Sequence, residues 1–230
     1  MLQLEGLEIW QEGFRLRADW SVPAGAKVAV IGPSGAGKST LLMTLAGFVA
    51  HAGRILWQGQ DIGPLAPGDR PLSILFQDQN LFPHLTVAQN LGLGLSPRLR
   101  LSPADHDRIT ATLERVGLGG MGGRKPGQLS GGQIGRAALA RALLRARPVL
   151  LLDEPFAALG PALKVEMLDL VTETAAETGA TVLMVTHDPA DARRFADLTV
   201  LVAEGVAYAP QPTEALFAAP PPALAAYLGK

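Results

Sequence analysis

An α/β fold is predicted by three observations. Continuous apolar runs of strand length alternate with segments of helical period. The glycine-rich stretch GPSGAGKST, residues 32–40, lies between one such run and one such segment. A third run, VLLL at 149–152, ends in two adjacent acids, Asp153 and Glu154. Carrying two charges to the end of a buried strand is expensive unless something there needs them.

The elements follow in order. LQLEGLEIW (2–10) and FRLRADWSV (14–22) alternate apolar and polar residues and read as early strands. KVAVIG (27–32) reads as a buried strand, GPSGAG as a loop and KSTLLMTLAGF (38–48) as a helix. GRILWQG (53–59) is expected as an antiparallel strand, followed by the Pro/Gly-rich loop DIGPLAPGDRP and the strand LSILFQ (72–77). Residues 78–147 hold helical patterns, such as 103–117 with Ile109, Leu113 and Val116 on one face, and no convincing strand. Strand character returns at PVLLLD (148–153), a helix at 161–179, and further strands at TVLMVTH and LTVLVAEG. The remainder, with Pro210, Pro212 and Pro220 to Pro222, is expected to be helical only in pieces.

Composition narrows the function classes. The 230 residues are 48% hydrophobic and 18% charged, which describes one globular domain or a domain with a small appendage. Lys and Arg number 20 against 21 Asp and Glu, so no broad basic surface exists for nucleic acid or anionic lipid. Cysteine is absent, which excludes disulfides and thiolate metal sites. MLQLEGLEIW lacks the basic-then-apolar order of a signal peptide. The longest apolar runs fall short of the ~18–20 residues a bilayer span requires. A soluble, cytosolic chain is expected.

Residues 32–40 fit G-x-x-x-x-G-K-[ST] through Gly32, Gly37, Lys38 and Ser39, in the strand-to-helix setting that the motif requires. Its glycines let backbone amides wrap around phosphate oxygens, and the following helix adds its positive end. Lys38 is expected on the β- and γ-phosphates and the Ser39 hydroxyl on Mg²⁺. Asp153 then belongs in the Mg²⁺ shell, and Glu154, facing differently, beside the attacking water. GLGGMG (117–122) matches the dinucleotide fingerprint literally, but it follows a helix and leads into RKPG, so a connecting loop is expected.

With LSGGQ at 129–133 the chain resembles the nucleotide-binding subunits of ABC transporters over essentially its whole length. The motifs occur in that family's order: phosphate loop, Gln77 in ILFQDQN, LSGGQ, LLLLDE ending at Glu154, and His187 in VTHD. The resemblance implies a P-loop cassette with a mixed-sheet RecA-like core (about 1–77 and 148–230), an antiparallel β subdomain and a helical signature-motif subdomain (about 78–147). It implies ATP and Mg²⁺ as ligands. The ATP-binding residues would be Gly32, Pro33, Ser34, Gly35, Ala36, Gly37, Lys38, Ser39 and Thr40, with Trp10, or alternatively Phe14, stacking on adenine. Ser39, Gln77 and Asp153 would surround the metal, and Glu154, His187 and Gln77 would serve catalysis. Leu129, Ser130, Gly131, Gly132 and Gln133 would face the ATP of a second copy, with a helix expected from about Gln133. The implied partners are that second copy, transmembrane permease subunits and, indirectly, a periplasmic solute-binding protein, at the cytoplasmic face of the inner membrane.

LFQDQNLFPHLTVAQNLGLGL (75–95) most resembles the ATPase subunits of bacterial thiamine importers. Import of another solute, such as ferric iron, and a non-transport ABC switch are the alternatives. Two departures from the family pattern stand out: Ile134, Gly135 and Arg136 where Arg-Gln-Arg is usual, and Ala157, Ala158, Leu159 and Gly160 where Ser-Ala-Leu-Asp is usual. The first should weaken the start of a helix by up to ~1 kcal/mol. The second should weaken communication between two ATP sites.

Overall fold

The computed structural model describes residues 1–230 except Glu12, Gln79, Asn80, Ala158 and Lys230. In chain order the strands and helices begin with β1 (Leu2–Gln11), β2 (Phe14–Val22), β3 (Lys27–Ile31), α1 (Lys38–Leu45), β4 (Ala52–Trp57), β5 (Gln60–Asp61) and β6 (Leu72–Leu75). Three helices follow, α2 (Val87–Leu95), α3 (Pro103–Arg115) and α4 (Gly131–Leu144), with a 3-10 turn at Pro126–Gln128. Then come β7 (Val149–Asp153), α5 (Pro161–Thr178), β8 (Thr181–Val185), α6 (Pro189–Phe195) and β9 (Leu198–Ala203). The chain closes with β10 (Val206–Ala207), β11 (Gln211–Pro212), α7 (Thr213–Ala218) and α8 (Pro222–Tyr227).

One mixed sheet runs β5-β4-β1-β2-β10-β9-β3-β8-β7-β6, with β11 paired to β9. The strands β9, β3, β8, β7 and β6 are parallel, whereas β1 pairs antiparallel with β2 and β4. Their sequences explain the difference. β7 and β8 are buried at every position, the mark of parallel strands covered on both faces. β2 alternates, with Leu16, Ala18, Trp20 and Val22 inward, as a one-sided antiparallel strand does.

The sheet divides two cores. Ala29 and Ile31 of β3, with Leu150 and Leu152 of β7, face α4 and α5. Val28 and Val30, with Val149 and Leu151, face Leu41, Leu42 and Leu45 of α1 and the antiparallel wing. Each such leucine, fully removed from water, contributes about 2 kcal/mol. The core therefore fixes α1 against the underside of the sheet, which aims its N-terminus.

α1 ends three residues sooner than the apolar pattern predicts. Left-handed Gly47 (φ 89°) makes that stop, with Gly47 N on Thr44 O at 3.0 Å and Phe48 N on Met43 O at 2.9 Å, and Arg70, 2% exposed, ties the end down. Its Nη1 donates to the carbonyls of Thr44 (2.9 Å) and Leu45 (2.7 Å), its Nη2 to Gly63 O (2.7 Å) and its Nε to Leu65 O (3.1 Å). A cation on the last carbonyls of a helix satisfies orphan acceptors and complements the dipole. Burial pushes the guanidinium pKa down, and Asp61 opposes it.

Between β6 and β7 the described residues form helices and turns, with α4 packed on α2. Thr86, Ser102 and Ser130 each cap a helix in a capping box. Fully buried Asn90 accepts from Phe82 N at 2.7 Å and donates to Phe82 O and Thr86 O, which pins the segment leading out of β6. GLGGMG is a series of turns after α3, with Gly117 and Gly120 at positive φ, and opens no helix. The two-residue strands β5, β10 and β11 and the seven-residue α6 were not expected, being too short to show a period.

Candidate functional site

Register brings part of the predicted site to one end of the sheet. Val30 pairs with Val185, Val185 with Asp153, and Leu75 with Leu152. The loop after β3, Glu154 after β7, Thr186 and His187 after β8, and Gln77 after β6 therefore leave the sheet along one edge. That edge is the carboxyl end of the parallel strands, where open α/β sheets bind ligands.

The loop needs its glycines. Gly32 is at φ 149°, and a Cβ there would lie 2.0 Å from Val202 O. Gly37 caps α1 at φ 99°, and its Cβ would lie 2.3 Å from the Phe14 ring. Pro33, Ser34 and Gly35 are exposed, while Ala36, Ser39 and Thr40 are half-buried. Lys38 is buried, and its Nζ donates to Gly32 O and Pro33 O, both at 2.9 Å. Burial lowers the ammonium pKa, with Glu154 and Asp153 acting against it.

Ser39 Oγ donates to Asp153 Oδ1 at 2.9 Å, so a bond spanning 114 residues fixes the acid over the first turn of α1. Asp153 is 5% exposed. Burial raises its pKa; the bond from Ser39 opposes that, Glu154 adds to it and Lys38 opposes it. Glu154 turns away in a left-handed conformation, φ 45°, with its amide on Val185 O at 3.2 Å. A non-glycine residue there is strained by roughly 1 kcal/mol or more, and such strain clusters at functional sites. The turn sends the two neighbouring carboxylates apart: Asp153 to Ser39, Glu154 to within 3.3 Å of His187 Nδ1. Gln77 is exposed, two residues beyond β6.

Trp10 and Phe14 both lie at the tip of the β1–β2 hairpin. Phe14 is half-buried against Gly37, whereas Trp10, opposite Arg15, is 51% exposed.

The structure does not join Leu129–Gln133 to the loop by any described hydrogen bond. Ser130 Oγ accepts from Gln133 N at 3.3 Å, and Gln133 Oε1 accepts from Ser130 N at 2.9 Å. The cap starts α4 at Gly131, earlier than the expected Gln133. Ser130 and Gly131 are exposed, Leu129 and Gly132 half-buried. Leu159 covers Gly132, where a Cβ would approach its side chain to 3.1 Å, so the segment after Glu154 packs on the signature helix. Gly160 is the N-cap of α5 at φ −67°, with no atom within 4 Å of where its Cβ would be. Ala158 lies outside the described residues. Gly135 is buried within α4, and Arg136 donates to the carbonyls of Val116 and Gly117.

Sequence reasoning missed Lys164, Asp188 and Asp191. Lys164 Nζ donates to Asp188 Oδ2 at 2.7 Å and Asp191 Oδ1 at 2.9 Å, beside His187. Burial acts to lower the Lys164 pKa, but the two carboxylates raise it overall. Asp188 before Pro189 is a helix-start signal that could have marked this turn.

Among the described residues no group of three or more His, Asp or Glu could hold a metal unaided. Ser39 and Asp153 bring two oxygen donors together at the start of α1, a donor type that could hold Mg²⁺ once phosphate and water complete its shell. Among the described residues, too, no helix is long and apolar enough to cross a membrane.

Loop, lysine and buried acid together define the phosphate-loop class of protein. Within that class, the profile of the ABC transporter family matches residues 16–157, and the chain belongs to this family. Thiamine import ATP-binding protein ThiQ of Cereibacter sphaeroides is 73% identical over 230 residues, covering 100% of both chains. The ThiQ protein of Ruegeria sp. is 59% identical over 230 residues, again 100% of both. A dimeric ATP-binding cassette solved in a post-hydrolysis state with ADP and Pi matches with a TM-score of 0.83 at 28% identity, over 93% of this chain and 99% of that one. The α/β cassette expected from the sequence is thus the fold of this chain.

Proposed function

We propose that the chain is the ATP-hydrolysing subunit of an importer whose solute is thiamine. One observation carries the catalytic reading: adjacent Asp153 and Glu154 are separated by the strained turn, one bonded to the first turn of the phosphate-loop helix and the other facing His187. The solute rests on the ThiQ relatives. A different solute, or a non-transport ABC role, are the competing outcomes of the test.

In this reading Gly32 to Thr40 hold the triphosphate, with backbone amides and Lys38 facing its oxygens. Lys38 leaves the carbonyls of Gly32 and Pro33 to do so. Trp10 offers an exposed ring face for adenine, and Phe14 buttresses the loop at Gly37. Ser39, Asp153 and Gln77 would hold Mg²⁺, which supplies charge neutralisation on the phosphates when bound. Glu154 orients the attacking water and accepts its proton, and His187 steadies both Glu154 and the γ-phosphate.

The chain acts as one ABC domain, with residues 78–147 as the helical part facing the permease. Two copies pair so that Leu129–Gln133 of each meets the ATP of the other, while a periplasmic binding protein delivers solute to the permease. The subunit is peripheral, at the cytoplasmic face of the inner membrane, with no nucleic-acid partner.

The test is co-purification of the full chain with its membrane subunits, then MgATP hydrolysis and uptake in vesicles supplied with binding protein. Thiamine should stimulate both. Stimulation by another solute alone would overturn the thiamine assignment, and no hydrolysis in the assembled complex would overturn the catalytic one.

A further inference from the structure

The turn Thr186–Asp191 carries His187 from the end of β8 into α6. Its inner side is fixed by an ionic knot: Lys164 grips Asp188 and Asp191, Thr186 Oγ1 donates to Asp191 Oδ2 at 3.0 Å, and Asp188 N donates to Thr186 Oγ1 at 3.0 Å. Only the last of these reaches the peptide that follows His187, and it holds that peptide by its N–H side. The His187 carbonyl instead accepts a 2.6 Å hydrogen bond from Tyr227 Oη, forty residues away on α8.

Tyr227 is well placed to hold that carbonyl. Leu224 of α8 is fully buried, and the Tyr227 ring and Leu228 pack against the same core. Apolar packing thus sets the position of the ring, while the hydroxyl goes to the catalytic turn. Burial first, then Glu154 and Asp188, raise the phenol pKa above its usual value, so it stays protonated, and a donor, at neutral pH.

We propose that Tyr227 is a positioning residue for ATP hydrolysis: it holds the carbonyl side of the peptide whose N–H side is held by Thr186, and thereby fixes the approach of the His187 imidazole to Glu154. This inference rests on the catalytic reading given above. The lever is short. The carbonyl carbon held through Tyr227 and the imidazole are both borne by Cα of His187, so a shift of that carbonyl that moves Cα carries the ring with it, and a misplacement of about 1 Å at a reacting group can cost about a hundredfold. Loss of one neutral hydrogen bond sets the lower expectation.

Tyr227→Phe in the full chain keeps the ring and removes the bond. Its kcat for MgATP should fall about threefold to tenfold, with KM for ATP unchanged within about twofold because the phosphate loop is untouched. Tyr208→Phe, at the half-exposed tyrosine elsewhere, should change neither. In a His187→Ala background, Tyr227→Phe should cause no further loss. Amide exchange should quicken over residues 186–191 in Tyr227→Phe and stay unchanged in α5. An unchanged kcat, an equal loss in both backgrounds, or uniform acceleration of exchange across the chain would each overturn the proposal. Should the wild-type chain hydrolyse no ATP, that failure would belong to the catalytic reading, and exchange at 186–191 would decide whether the tether exists.

Discussion

α1 and α4 both begin among glycines, yet the chain treats the two starts in opposite ways. At α1, Gly37 stands in a left-handed turn and no side chain caps the helix among the described residues. Lys38, Ser39 and Asp153 around it are bonded within the chain. At α4 the cap is complete, since Ser130 and Gln133 satisfy each other, and what remains is an exposed surface of Ser130 and Gly131 with Leu159 at its side. The contrast teaches that the phosphate-holding half is assembled by one chain's own long-range contacts. The signature half is finished locally and turned outward, the form required if a second copy of the cassette is to supply the other half of its site.

That contrast can be broken from either side. The largest expected effect is on the phosphate half: Glu154→Gln should slow single-turnover hydrolysis by ~10² or more, about 2.7 kcal/mol in the barrier, while nucleotide binding is retained. Rapid turnover in this variant would show that the strained acid does not serve the water. A smaller effect is expected from Gly160→Asp on the signature side. The N-cap backbone of Gly160 accepts any residue and its surroundings are open, so helix α5 should gain a few tenths to about 1 kcal/mol. Cooperativity of ATP hydrolysis in the assembled transporter should rise with it. If thermal stability and cooperativity both stayed at wild-type values, the missing carboxylate would have no role in the departure seen here.

The smallest effect is a pH dependence in the turn that bears His187. The bond from Lys164 holds the Asp188 pKa below its usual range, against a smaller effect of burial. A carboxyl with a depressed folded pKa stabilises fully above its unfolded value, about 3.9, and loses that contribution as pH falls through the folded one. The gap in melting temperature between wild type and Asp188→Asn should therefore be constant from about pH 7 to 5 and close below about pH 4. A gap that persisted at the acid end would mean that the pair contributes through packing alone.

How much of this was legible depended on distance along the chain. β3, β7 and β8 are uninterrupted apolar runs, and the phosphate loop is one contiguous motif, so residues close in sequence announced them. The expectation that Gln77, Asp153, Glu154 and His187 share one end of the sheet came through the resemblance of the whole chain to a family. Physical pattern alone marks each as a strand end without saying which strands are neighbours. Lys164 with Asp191, Arg70 with Thr44, and Tyr227 with His187 were not legible, because a bond between groups 26 to 40 residues apart leaves no period or local composition. The left-handed turn at Glu154 has no sequence signal either, since the residue types that favour it are Gly and Asn.

Arg70 gives the segment 62–71 a property its composition hides. Rich in Pro and Gly and almost without regular structure, it has the look of a loop that would accept insertions and deletions freely. Yet Gly63 O, Leu65 O and the end of α1 all depend on one guanidinium reaching them at once. Length changes are thus tolerable only where Arg70 keeps its reach to all three. The segment behaves as a measured strap, and natural length variation should be confined to the exposed stretch between Leu65 and Arg70.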